Sequence, residues 1–156
     1  MSDRFIRPAG AEFHANALIS GPQQRPDVAA LSGGGYVSAW ESAPFDEAIP
    51  RGVYVRLHAP DGTPLSDDIF AGPAGDFANV SVDGLADGGF VVAWERSNPV
   101  PGNPDLSSRD IVARRYSGDG APRDDAFVVA RQAVARIDGD GTRYVEETDP
   151  DVAGLP

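Results

Sequence analysis

Cysteine and lysine are both missing from this chain of 156 residues. Without cysteine there is no disulfide framework, no thiolate nucleophile and no Cys-ligated metal. All 13 basic residues are arginine, and 24 acidic residues outnumber them, for a formal charge of -11. That balance opposes nucleic acid and anionic membrane as partners, and favours a cationic partner or bound Ca²⁺. No apolar run approaches the roughly 18 residues of a membrane-spanning helix. The opening stretch MSDRFIRPAG has no apolar signal-peptide core, so an export signal would have to lie outside this chain. Neither a nucleophile elbow nor a recognisable catalytic triad occurs, which leaves nucleophilic catalysis without a signature.

What the chain does have is repetition. LSGGGYVSAWE at 31–41 aligns without gaps on LADGGFVVAWE at 85–95, placing Trp40 on Trp94 at an offset of 54. Downstream, VYVRLHAPDGTPLSDDIF at 53–70 aligns on IVARRYSGDGAPRDDAFV at 111–128 at an offset of 58, so four extra residues fall between the two blocks. The repeat of about 55 residues divides the chain into 12–67, 68–125 and a partial third unit at 126–156 that carries an insertion at 132–149. PDVAGLP at 150–156 matches PDVAAL at 26–31, so the chain is expected to start and stop inside the repeat.

Each unit reads as four short strands, because runs rich in Val, Phe, Tyr and Trp alternate with Gly and Asp-Gly turn signals. The first unit places them at Val28–Leu31, Tyr36–Glu41, Val53–His58 and around Phe70; the second at Val82–Leu85, Phe90–Glu95, Ile111–Tyr116 and around Val128. The second strand of each unit is apolar on both faces up to its glutamate, which requires stacked sheets. The expected fold is therefore all-β, with tandem four-stranded antiparallel units in a β-propeller-like array, or else a β-sandwich. In any such meander the short turns share one end. The long loops, at Ser42–Gly52, Arg96–Asp110 and Gln132–Asp149, share the other and are the natural place for binding.

Four motifs carry a resemblance: PDVAAL at 26–31, DGGFVVAW at 87–94, SGDG at 117–120 and EFHAN at 12–16. At these the chain resembles a repeat family of large secreted bacterial proteins, often accompanied by RTX-type calcium-binding repeats. The resemblance implies export, a propeller-like fold and a role as a surface or adhesion module; it supplies no catalytic residue to carry over.

The candidate site residues follow from the repeat. Trp40 and Trp94, each followed by a glutamate (Glu41, Glu95), read first as core and second as aromatic platforms with carboxylates for binding a sugar. Glu41 and Glu95 recur beside Arg56 and Arg114 on the neighbouring strand, which predicts cross-strand ion pairs. His14 and His58 are the only histidines, and His58 fills the slot of Tyr116, so it reads as a packed ring. In the insertion, Asp138, Asp140 and Glu147 surround Gly141 with part of the spacing of an EF-type Ca²⁺ loop, but Arg136 stands at the first ligand position. A plain hairpin with arms ARI and TRYVEE is the alternative.

The reading that results is a non-catalytic binding or structural module that presents its long loops to a protein or glycan. A glycan-acting hydrolase is the competing class. It would require Glu41, Glu95 and loop acids such as Asp46, Glu47 or Asp105 to converge. Two and a fraction units do not close a ring, so a homo-oligomer, or neighbouring repeats of a longer chain, is the expected partner.

Overall fold

A strand that is apolar at odd and even positions alike needs cover on both faces. The computed structural model describes residues 10–74, 78–100, 103–131, 134–137 and 141–144, without the side chains of 99–107 and of the last two segments. It supplies that cover by stacking two four-stranded antiparallel sheets. The first is β1 (Gln23–Ala30), β2 (Tyr36–Ser42), β3 (Gly52–His58) and β4 (Ile69–Gly72), in that order. The second is β5 (Ser81–Gly84), β6 (Phe90–Val100), β7 (Asn103–Tyr116) and β8 (Phe127–Arg131), again a simple meander. No helix occurs among the described residues.

Pairing register sorts the side chains of each sheet into two faces. In the first sheet Val37, Ala39 and Glu41 stand opposite Leu57, Val55 and Val53 on one face. The other face carries Tyr36, Ser38 and Trp40 opposite His58, Arg56 and Tyr54. In the second sheet Phe90, Val92 and Trp94, opposite Tyr116, Arg114 and Val112, turn toward the first. Val37, Val53, Val55, Phe90, Val92 and Val112 all reach 0% exposure in a single core cluster. At roughly 1.5–3 kcal/mol for each such side chain, this inter-sheet layer dominates the stability.

The packing is head to tail, because the buried face of the second sheet is the repeat counterpart of the outer face of the first. β1 and β5 lie side by side and run the same way. Asp27 Oδ2 accepts a hydrogen bond from Val82 N at 2.8 Å, and further along a Cβ on Gly84 would collide with the Ala30 carbonyl. The outer face of the first sheet is partly covered by residues 13–18. There the Phe13 ring lies 6.1 Å from His58, and Leu18 N donates to Asp68 Oδ2 at 2.7 Å.

The turns explain themselves chemically. Gly62 and Gly120, at φ of 90° and 86°, take the left-handed conformation after Asp61 and Asp119, whose carboxylates accept the Thr63 and Ala121 amides. One expectation is corrected at the opposite end. Arg96–Asp110 is not a loop: β6 and β7 stay paired beyond Glu95, from Arg96↔Asp110 to Val100↔Asn103, as a two-stranded ribbon. The ladder continues because nothing in ERSNPV breaks it until Pro99 and Val100, where the register shifts. Within the insertion, β9 (Val134–Ile137) and β10 (Gly141–Tyr144) pair antiparallel.

Candidate functional site

Glu41 is the penultimate residue of β2 and Glu95 sits at the same repeat position in β6; both are buried, at 0% and 2% exposure. Glu41 Oε2 accepts from Ala78 N at 3.1 Å and from Arg25 Nη1 at 3.3 Å, with Arg51 Nη2 3.8 Å from Oε1. Glu95 Oε1 accepts from Asn79 Nδ2 at 2.8 Å and Oε2 from Arg109 Nη1 at 3.2 Å. Ala78 is the hinge of this arrangement: its N–H goes to the Glu41 carboxylate while its carbonyl accepts from Glu95 N at 2.7 Å. The chain entering the second sheet is thereby clamped between the two glutamates.

The expected pairs Glu41–Arg56 and Glu95–Arg114 do not form. Arg56 lies opposite Ser38, one residue out of phase with Glu41, so it projects from the other face of the sheet. It pairs instead with Asp68 at 3.6 Å and donates to Ser66 O. Arg114 donates to Asp124 O and, across the junction, to Ala71 O, with its guanidinium 5.8 Å from the centre of the Tyr116 ring.

Trp94 is 1% exposed, its Nε1 donating to Pro73 O at 3.0 Å, and a Cβ on Gly72 would come within 2.7 Å of its ring. Trp40 is 5% exposed and stacks on Tyr54 at 6.3 Å. It borders a cleft of about 170 Å³ that Ala15, Asn16, Gln23, Gln24 and Pro26 complete. Two buried polar atoms at this cleft, Trp40 Nε1 and Gln23 Oε1, have no hydrogen-bond partner. Both indoles are therefore buried, and Trp40 borders a concave surface.

His58 is fully buried, with its Nε2 3.0 Å from Ser38 Oγ and its ring stacked 4.8 Å from Tyr36. Phe90 and Tyr116 repeat that stack at 4.8 Å in the second sheet, so the imidazole occupies an aromatic packing slot. Burial holds its pKa below the usual histidine range. His14 is exposed.

Among the described residues the loop acids Asp46 and Glu47 do not reach the glutamates. Asp46 and Glu47 are exposed in the β2–β3 loop, where Asp46 Oδ1 accepts the Ala48 amide at 2.9 Å. The Asp105 side chain, and Asp138, Asp140 and Glu147, lie outside the described residues. Among the described residues no cluster of His, Asp or Glu is arranged to hold a metal ion.

Sequence reading missed Arg25, Asn79 and Asp68. The signal for the first two was their alignment at an offset of 54; in the structure both adopt positive φ, 52° and 40°, and each donates to a glutamate. Set beside known proteins, the chain matches no family model, no curated protein and no solved structure.

Proposed function

We propose that this chain is a non-catalytic binding or structural module, its sheets stacked as blades of a propeller-like array that displays one set of loops to a protein or glycan. The observation that carries the reading is where the acids are engaged. Glu41 and Glu95, the carboxylates that recur in the repeat, are enclosed by arginines and backbone amides, which fixes the stack and leaves them out of reach of a substrate. The parallel run of β1 and β5 sends the β2–β3 loop and the β6–β7 ribbon out of the same end. That end displays Phe45 at 82% exposure, flanked by the exposed Asp46 and Glu47. An exposed aromatic among acids is a contact surface in search of a ligand face. The resemblance to exported bacterial repeat proteins adds an extracellular, adhesive setting to the same proposal.

A glycan array, run beside a glycosidase screen, tests it. The expected result is binding that Phe45→Ala abolishes while the melting temperature stays unchanged. Turnover of a glycan that is lost in Glu41→Gln would replace the module with an enzyme.

A further inference from the structure

Where the two sheets meet, Ile69 presses on the turn between β7 and β8: a Cβ on Gly120 would come within 2.7 Å of Ile69 Cδ1. On the outer face of the first sheet Phe13 does the same to Gly62, the repeat counterpart of Gly120, where a Cβ would come within 2.8 Å of the ring. Further along, Gly72 touches Trp94 at the junction, and Ala15 and Asn16 border Trp40 on the outer face. Residues 13–16 thus occupy the berth of a fourth strand belonging to a preceding sheet. Among the described residues they pair with no strand.

The substitution is imperfect. Trp94 Nε1 finds the Pro73 carbonyl, whereas Trp40 Nε1 stays unpaired. Val28 is 62% exposed although its counterpart Val82 is 5% exposed, and Phe13 itself is 55% exposed. At the far side of the stack Ala93 and Ala113 are buried, but the edge strand of the second sheet exposes apolar side chains. Phe127, the counterpart of Ile69, lies opposite Ala113 on the face turned away from the first sheet, 43% exposed, with Val129 at 59%.

We propose that residues 13–18 are a displaceable cap, and that what they hold off is β8 of a second copy of this chain, docking head to tail with Phe127 over Gly62. The internal junction supplies the template: there Ile69, the counterpart of Phe127, and Leu57 close on Gly120, while on the second sheet the exposed Arg115 takes the place of Leu57. Such a contact is heterologous, so it propagates or closes into a ring. The cap is held by the Phe13 ring and by the Ala17 and Leu18 amides, which donate to Asp68 at 2.9 and 2.7 Å. Copies associate only through the fraction of chains whose cap is open, which lowers their apparent affinity by that fraction. The inference concerns the end faces of the stack and stands apart from what the loops bind.

Sedimentation velocity on the full chain over a concentration series tests it. Phe13→Ser and Ala17→Pro, the second removing the N–H that donates to Asp68 and restricting the backbone there, each strengthen self-association by about tenfold or more. Adding Phe127→Asp to either returns the chain to monomer. Opened variants that stay monomeric with an unchanged far-UV spectrum overturn the proposal. So does association that survives Phe127→Asp. The two opening variants fail to fold for different reasons if they fail at all, so one remains to decide the matter.

Discussion

Trp40 and Trp94 are the same residue at the same position of a repeat, in two different surroundings, so truncating each measures what the junction adds. Trp94→Ala empties a site that is 1% exposed and walled by the backbone of Gly72, which leaves little room for collapse. It also strands the Pro73 carbonyl, so the cost falls at about 5 kcal/mol, the upper end for a core tryptophan. Trp40→Ala opens into a cleft that already exists, among Asn16, Gln23 and Gln24, and breaks no hydrogen bond of the indole. Its cost is about 3 kcal/mol. With a slope of about 2 kcal/mol/M, urea midpoints fall by about 2.5 M and 1.5 M, respectively. The phenylalanine variants sharpen the contrast, because Trp94→Phe loses a made hydrogen bond and Trp40→Phe only an unmade one, a difference of about 1 kcal/mol. Equal shifts at both positions, or a larger one at Trp40, would refute the claim that the junction satisfies one indole and not the other.

Two further outcomes follow from the buried groups. Glu41→Ala removes the carboxylate that accepts from Ala78 N and Arg25 and destabilises by about 3–5 kcal/mol, while Glu41→Gln retains an acceptor and costs about 1 kcal/mol, both measurable in the same urea melts. His58 is held neutral by burial, with its folded pKa below the ordinary 6.5. Its contribution to stability is therefore complete above pH 6.5 and is lost as pH falls toward the depressed folded value, since only the unfolded chain takes up the proton at first. Melting temperatures recorded between pH 8 and pH 5 show that slope in the wild type, and His58→Tyr, which copies the Tyr116 slot, removes it.

Much of this architecture was written in local sequence. Tyr36–Glu41, Phe90–Glu95, Val53–His58 and Ile111–Tyr116 lie within the strands the repeat pointed to, because β-branched and aromatic runs bounded by Asp-Gly turns leave the backbone few alternatives. Apolar residues on both faces of β2 and β6 already demanded stacked sheets, and the slot shared by His58 and Tyr116 already spoke for a packed ring. Register was a different matter. Whether Glu41 meets Arg56 depends on pairing across a connection from Ala43 to Arg51 whose length alone does not set the phase, and a shift of one residue moves a side chain to the opposite face. Tertiary structure alone decided that Glu41 faces Arg25 and Ala78, that Arg56 faces Asp68, and that residues 13–16 lie over the outer face of the first sheet. Those outcomes rest on contacts between segments far apart in the chain, where the energies of burial and hydrogen bonding, not local preference, select the arrangement.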